Sequence, residues 1–185
     1  LLPYITKDFL GIEHDTFFHV SRIEQLSKAL QHGQFLPAIY PYENHHYGYA
    51  SPLFYSDVFL IIPALLHLCG ASLAFSYKCI VFIASFISSY AMIQLAMHIT
   101  NKKGISYIAS CAYLFSNYRI TDVYVRGALG EIFAFAFLPY MLLGIYQIIY
   151  ENKSWLTLTL ALTALALSHN LTFLMASILC AILCI

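Results

Sequence analysis

The sequence predicts an all-α protein, a polytopic transmembrane helical bundle with amphipathic surface helices in a first external loop. Three observations lead there. The 185 residues are 61% hydrophobic and 10% charged, with a mean hydropathy of +0.73, far from the roughly half-apolar, quarter-charged average of soluble domains. Apolar runs of near-spanning length follow one another with short polar breaks between them. Ionisable side chains, expensive in lipid, collect in those breaks. Nine basic and nine acidic residues cancel, so charge gives no reason to expect nucleic acid as a partner. The five cysteines lie in or beside apolar runs without a CxxC pair and read as small hydrophobes. The chain opens on Leu1-Leu2-Pro3 and closes inside an apolar run, the pattern expected of an internal piece of a longer protein.

Residues 1–76 read as the end of a first membrane helix followed by an external loop with two surface helices. This part holds Asp8, Glu13, Asp15, Glu24, Glu43 and Asp57, six of the nine acids. From 15 to 32, Val20, Ile23, Leu26 and Leu30 recur at helical spacing and Gly33 supplies a stop. An amphipathic helix on the membrane surface is expected, with Asp15, His19 and Arg22 on one polar side of it. Two prolines and a glycine then break the Tyr-rich stretch from Tyr40 to Tyr55. Residues 53–69 are apolar enough to cross but carry Asp57, Pro63 and His67. If that segment crosses, the first loop falls on the side of Lys102 and Lys103; if it lies on the membrane, the loop falls opposite them.

Residues 77–185 form the predicted bundle, with spans at 78–98, 105–118, 132–150, 155–168 and 171–185. Asn101 to Gly104 and Glu151 to Ser154 punctuate it. The last two spans are separated at His169, because 155–185 at about 1.5 Å per residue is too long for one crossing. The positive-inside rule puts Lys102, Lys103 and Lys153 in the cytoplasm, with Arg119 and Arg126 opposing it.

Two polar clusters could carry chemistry. Between the second and third predicted spans, Arg119, Asp122, Arg126 and Glu131 fall within one loop. Arginine's planar fork suits phosphate, and Asp122 and Glu131 could hold a divalent cation as hard oxygen ligands. The ordinary alternative is a loop whose Arg and Asp pair with each other. At the head of the first surface helix, Glu13, His14, Asp15 and His19 cluster. Asp15 is the candidate general base or metal ligand, the plain alternative being a helix N-cap. His19 suits an orienting hydrogen-bond partner. His169 alone in an apolar neighbourhood suits packing, and Tyr47 and Tyr49 could stack on a sugar or sit in an interfacial aromatic belt.

The order of elements, with His14-Asp15-Thr16-Phe17-Phe18-His19, Tyr47-Gly48-Tyr49-Ala50-Ser51-Pro52-Leu53-Phe54-Tyr55 and Tyr124-Val125-Arg126-Gly127-Ala128-Leu129-Gly130-Glu131, resembles the GT-C superfamily of membrane glycosyltransferases, and most closely bacterial YfhO-like membrane proteins. The resemblance implies that 53–69 is a surface helix, which puts Asp15, Asp122, Arg126, Glu131 and His169 on the external side of a bacterial cytoplasmic membrane that the chain crosses several times. It implies transfer of a sugar from a polyprenyl-phosphate-linked donor to an envelope glycan or lipid acceptor. Asp15, with Glu13 and His19, would supply the catalytic groups. Arg126, Arg119, Asp122, Glu131, His169, Tyr47 and Tyr49 would hold substrate. A divalent cation, Mg or Mn, would sit on Asp15 or Asp122, although the paired acidic motif of better-known members is missing. The alternative is a non-enzymatic membrane protein: a transporter or flippase for a lipid-linked substrate, or an envelope-assembly factor.

Overall fold

The computed structural model describes residues 10, 13–152 and 155–183. The expected end of a first membrane helix falls outside them apart from Leu10, as do Lys153 and the last two residues of the 171–185 segment. Among the described residues the protein is all-helical, its one β feature an isolated bridge between Tyr40 and Tyr49. Helix α1 is Thr16–Gln31, and α2 is Ile61–Leu68 with a 3-10 turn, Val58–Leu60, leading into it. Then come α3 Leu73–Thr100, α4 Lys103–Leu114 and the single turn α5 Asn117–Thr121, which runs into a π turn at Asp122–Arg126. Helices α6 Leu129–Glu151, α7 Leu156–Ser168 and α8 Asn170–Leu183 complete the chain.

Helices α3 and α6 are long and apolar enough to cross a membrane by length and composition. Their 28 and 23 residues extend about 42 and 35 Å, against a hydrocarbon core of about 30 Å. Ser72 starts α3 by accepting the Phe75 N–H at 3.2 Å. Asn101 and Asn152 close α3 and α6 in the left-handed region, at φ 52° and 50°, which asparagine tolerates at a helix C-cap. The most apolar windows of the two helices are only 44% and 50% buried, and Phe82, Phe86, Tyr90 and Ile149 stand outward. Continuous helix at 58–68 is about 16 Å long, and α4 with 12 residues about 18 Å, each too short to cross alone.

Proline in α6 explains a set of contacts that hydropathy hides. Pro139 lies inside the helix and has no N–H to give the carbonyl of Phe135, four residues earlier. That carbonyl instead accepts from Ser88 Oγ of α3 at 3.3 Å and from Tyr113 Oη of α4 at 2.9 Å. A hydroxyl ladder continues between α3 and α4, where Ser89 and Ser110 meet at 2.8 Å. Gly144 of α6 lets α7 come close, since a Cβ there would fall 2.6 Å from the Leu158 nitrogen.

Helices α3 and α6 point the same way. Tyr77 Oη donates to the Gly127 carbonyl at one end (3.3 Å), and His98 of α3 meets Glu151 of α6 at the other (2.6 Å). The 103–126 segment returns the chain from the end of α3 to the start of α6, and α7 returns it from the end of α6 to His169. Glu13, Asp15, Asp122, Arg126, Glu131 and His169 therefore gather at one end, with His98, Lys102, Lys103 and Glu151 at the opposite end.

Two sequence expectations change. Residues 119–126, read as loop, are helical. Helix α1 does not keep a polar face outward. Ile23 and Leu26 are buried with Leu60, Tyr77 and Ile80, and His19 and Arg22 are buried too. Partners on the 55–57 turn hold Arg22 inward and Arg22 in turn meets His19, so of the polar trio only Asp15 stays exposed.

Candidate functional site

The charged end is held together by backbone. The N–H of Asp15 donates to the Arg126 carbonyl at 2.8 Å, and that of His14 to the Val125 carbonyl at 3.3 Å. These bonds join the head of α1 to the π turn across more than a hundred residues. Gly127 makes the approach possible. It sits at φ +64°, and a Cβ there would lie 2.1 Å from Thr16 Oγ1 and 3.2 Å from the Glu13 Cβ. Thr16 donates to the buried Glu13 carboxylate, and Tyr77 Oη lies 3.4 Å from the same threonine hydroxyl. Asp15 occupies the N-cap position of α1, but its side chain makes no capping hydrogen bond. Asp15 is exposed at the surface and joined to the π turn through its backbone.

Across the junction, Arg126 bridges two carboxylates. Its Nη1 lies 2.7 Å from Asp122 Oδ1, and its Nη2 2.5 Å from Glu131 Oε1, with a second bond from Nη1 to Glu131 Oε2 at 3.0 Å. Tyr118 also donates to Glu131. The π turn builds this, because it sets Asp122 and Arg126 four residues apart on one face. Both carboxylates raise the Arg126 guanidinium above its ordinary value, the Glu131 hydrogen bond most. Asp122 is fully buried and its Oδ2 has no hydrogen-bond partner. Burial first, then the Glu131 charge, pushes its carboxyl up to about 6. The Arg126 side chain is about one-third exposed.

Asp122 and Glu131 do not leave a shared cation position open between them. Arg126 fills the position between Asp122 and Glu131 that a shared cation would take. Among the described residues no three His, Cys, Asp or Glu side chains converge to hold a metal.

Other sequence candidates are placed elsewhere at the same end. Arg119 turns away from Arg126 into the α3–α4 interface, where Nη2 reaches Ser85 Oγ at 2.6 Å and Nη1 the Leu114 carbonyl at 3.4 Å. His19 lies 3.3 Å from Arg22 through Nδ1. Arginine can only donate, so Nδ1 accepts and the imidazole is neutral. Burial, then the Arg22 charge, lowers its pKa to about 3. His169 links α7 and α8, its Nδ1 2.8 Å from Thr172 Oγ1 and accepting the Thr172 N–H at 3.4 Å. The ring also packs over Gly130, where a Cβ would lie 3.4 Å from its Cδ2. Tyr47 is 92% exposed at a loop tip. Tyr49 packs edge-on against Phe18, centroids 6.4 Å apart.

Sequence reasoning missed a buried network beneath the site. Arg22 Nη2 meets Asp57 Oδ1 at 2.5 Å and the carbonyls of Tyr55 and Ser56 at 3.0 Å each. Its guanidinium lies 5.4 Å from the centroids of the Phe18 and Tyr55 rings. Tyr40 donates to Asp57 Oδ2 at 2.6 Å, and burial followed by that bond raises the phenol well above its ordinary value. A lone Asp in an apolar segment and an Arg beside an apolar stripe were the visible signals, but nothing local joined them.

Beside the ion cluster an apolar groove of about 440 Å³ runs between α6 and α8, with Tyr118 and Glu131 at its polar end and Leu138, Met175 and Leu179 along it. No family model, curated protein or solved structure matches the chain.

Proposed function

We propose that the protein is a GT-C-like membrane glycosyltransferase, moving a sugar from a polyprenyl-phosphate-linked donor to an envelope glycan or lipid acceptor on the external face of a bacterial cytoplasmic membrane. The observation that carries this reading is the 2.8 Å bond from the Asp15 N–H to the Arg126 carbonyl. It joins the backbones of an exposed acid and of a partly exposed arginine at one end of an apolar helix bundle. Membrane insertion is supported by the outward apolar side chains of α3 and α6, since a helix in a soluble core buries most of its surface, and by neighbouring hydroxyls that satisfy the carbonyl freed by Pro139.

In this reading the polyprenyl chain follows the apolar groove, and its phosphate meets the open edge of Arg126. The acceptor oxygen attacks the anomeric carbon. Its proton passes to Asp15, and the bond from that carbon to the phosphate oxygen breaks with the electron pair staying on phosphate. A base near the acceptor and a cation on the leaving oxygen are what the step needs. Arg126 serves as that cation without a metal, because Glu131 and Asp122 hold its fork in place. Arg119 and His19 are positioning residues here, packing α5 and Arg22 respectively.

The competing reading, a transporter, flippase or assembly factor, draws on the saturation of Arg126 by two carboxylates, an arrangement that also suits a structural lock. The test is transfer of radiolabelled sugar from polyprenyl-phosphate hexose to membrane acceptors by the intact protein in nanodiscs. Asp15→Asn should abolish transfer with thermal stability unchanged. Transfer retained in that variant removes Asp15 from the chemistry.

A further inference from the structure

A cleft of about 260 Å³ opens between the 54–56 turn and the α7–α8 junction. At roughly 30 Å³ per water it has room for about nine waters, less than the roughly 300–1,000 Å³ of drug-sized pockets. It suits one small ring. Phe54, Tyr55 and Ser56 form one wall, and Ser168, His169 and Asn170 the other. We propose that this cleft is a saccharide site that takes one neutral pyranose ring.

The walls are tied to each other. Asn170 Nδ2 donates to the Phe54 carbonyl at 3.1 Å, which uses one of its two N–H groups and leaves the other, with Oδ1, for a ligand. Ser168 Oγ donates to the Leu165 carbonyl at 2.9 Å and keeps its lone pairs to accept. Ser56 Oγ accepts from the Val58 N–H at 3.4 Å and keeps its O–H to donate. His169 accepts at Nδ1, so in the neutral ring Nε2 carries the hydrogen. This alternation of donors and acceptors matches ring hydroxyls, each of which does both.

Two aromatic rings supply the other half of sugar recognition. Phe54 is 70% exposed and offers a face to the C–H side of a pyranose. Tyr55 is fixed from behind by Arg22 and by Phe18, whose ring meets it edge-on at 5.4 Å and 70°. A wall already held in place loses little freedom when a ligand binds. No Lys, Arg, Asp or Glu lines the cleft, so the chemistry favours a neutral polyhydroxylated ring over a phosphate. The cleft borders the charged junction on both sides. Tyr55 packs on Phe18, one helical turn after Asp15, and His169 packs on Gly130, next to Glu131. Its use in transfer, as the donor's or the acceptor's ring, rests on the reading above; occupancy by a sugar does not.

Saturation-transfer NMR on the intact protein in nanodiscs, with methyl glucoside, galactoside, mannoside and N-acetylglucosaminide as probes, tests it. At least one glycoside should bind saturably, and inorganic phosphate should not compete. Asn170→Ala and Phe54→Ala should each weaken binding about tenfold. The exposed Phe54 ring has no part in the core, so its variant remains informative where Asn170→Ala loosens the α8 start. No glycoside binding, or binding indifferent to both variants, overturns the proposal. Binding without any transfer leaves the cleft standing and removes the transfer reading. Transfer whose KM ignores both variants keeps the transfer reading and overturns the cleft's use in it. A rise in KM for acceptor alone or for donor alone assigns the ring to its source.

Discussion

Replacing Gly127 with Ala asks how much the charged end depends on one backbone position. At φ +64° a non-glycine residue costs about 1–2 kcal/mol. The new Cβ would also lie 2.1 Å from Thr16 Oγ1 and 3.1 Å from the Thr16 nitrogen, so the two segments must part. Parting them forfeits the Asp15–Arg126 and His14–Val125 backbone bonds, worth about 0.5–1.5 kcal/mol each. The expected loss is about 2–5 kcal/mol, concentrated in residues 13–16. Hydrogen exchange of the Asp15 amide, with thermal unfolding in nanodiscs, measures it. Exchange at that amide should accelerate in Gly127→Ala beyond what global unfolding explains. Adding Thr16→Ala removes the nearest clashing atom and should restore part of the stability, a coupling that a double-mutant cycle isolates. Parental exchange and stability in Gly127→Ala, with no coupling to Thr16, would refute the reasoning.

Arg22→Ala leaves Asp57 buried without its cation and should cost about 3–5 kcal/mol, read as a lowered unfolding midpoint; a change under about 0.5 kcal/mol would show that the network is idle. Tyr113→Phe combined with Ser88→Ala strips the Phe135 carbonyl of both partners and should cost about 1–3 kcal/mol, and adding Pro139→Ala, which restores the helical donor, should recover much of it. Asp122 binds its proton more tightly in the fold, at about 6 against 3.8, so its contribution is greatest below about 4 and is lost as pH rises through about 6; Asp122→Asn should remove that slope from a stability-against-pH curve. His19 acts oppositely, its folded value near 3 against 6.5. Stability should fall as pH drops below 6.5 towards 3, and His19→Gln should remove that fall.

The helical class was legible because composition and period are local properties. The ends of α3 and α6 also follow from the local breaks at 101–104 and 151–154, whereas α3 starts at Leu73, ahead of the expected 78. What escaped the sequence depends on distance along the chain. Arg22 and Asp57 are 35 residues apart, Asn170 and Phe54 are 116 apart, and neither pair carries a spacing that points to its partner. The inward turn of His19 and Arg22 was hidden for the same reason: on a helical wheel they share a side with Asp15, and only the 55–57 turn distinguishes them. The Arg126 cluster was half visible. Pairing of Arg and Asp within 119–131 was foreseen as the ordinary outcome, but not the π turn that brings Asp122 under Arg126. The role of Gly127 needed the opposing Thr16, and that of Pro139 needed the Ser88 and Tyr113 hydroxyls on neighbouring helices.

The account stands on a bundle that crosses the membrane with its Asp15–Arg126 end outside. Single cysteines at His14 and Lys102, both exposed and at opposite ends of α3, in a background with the native cysteines replaced, test it most directly in intact cells with a membrane-impermeant maleimide. The account predicts labelling at position 14 from outside and at position 102 only after the membrane is opened. Labelling of both positions from the same side would contradict it.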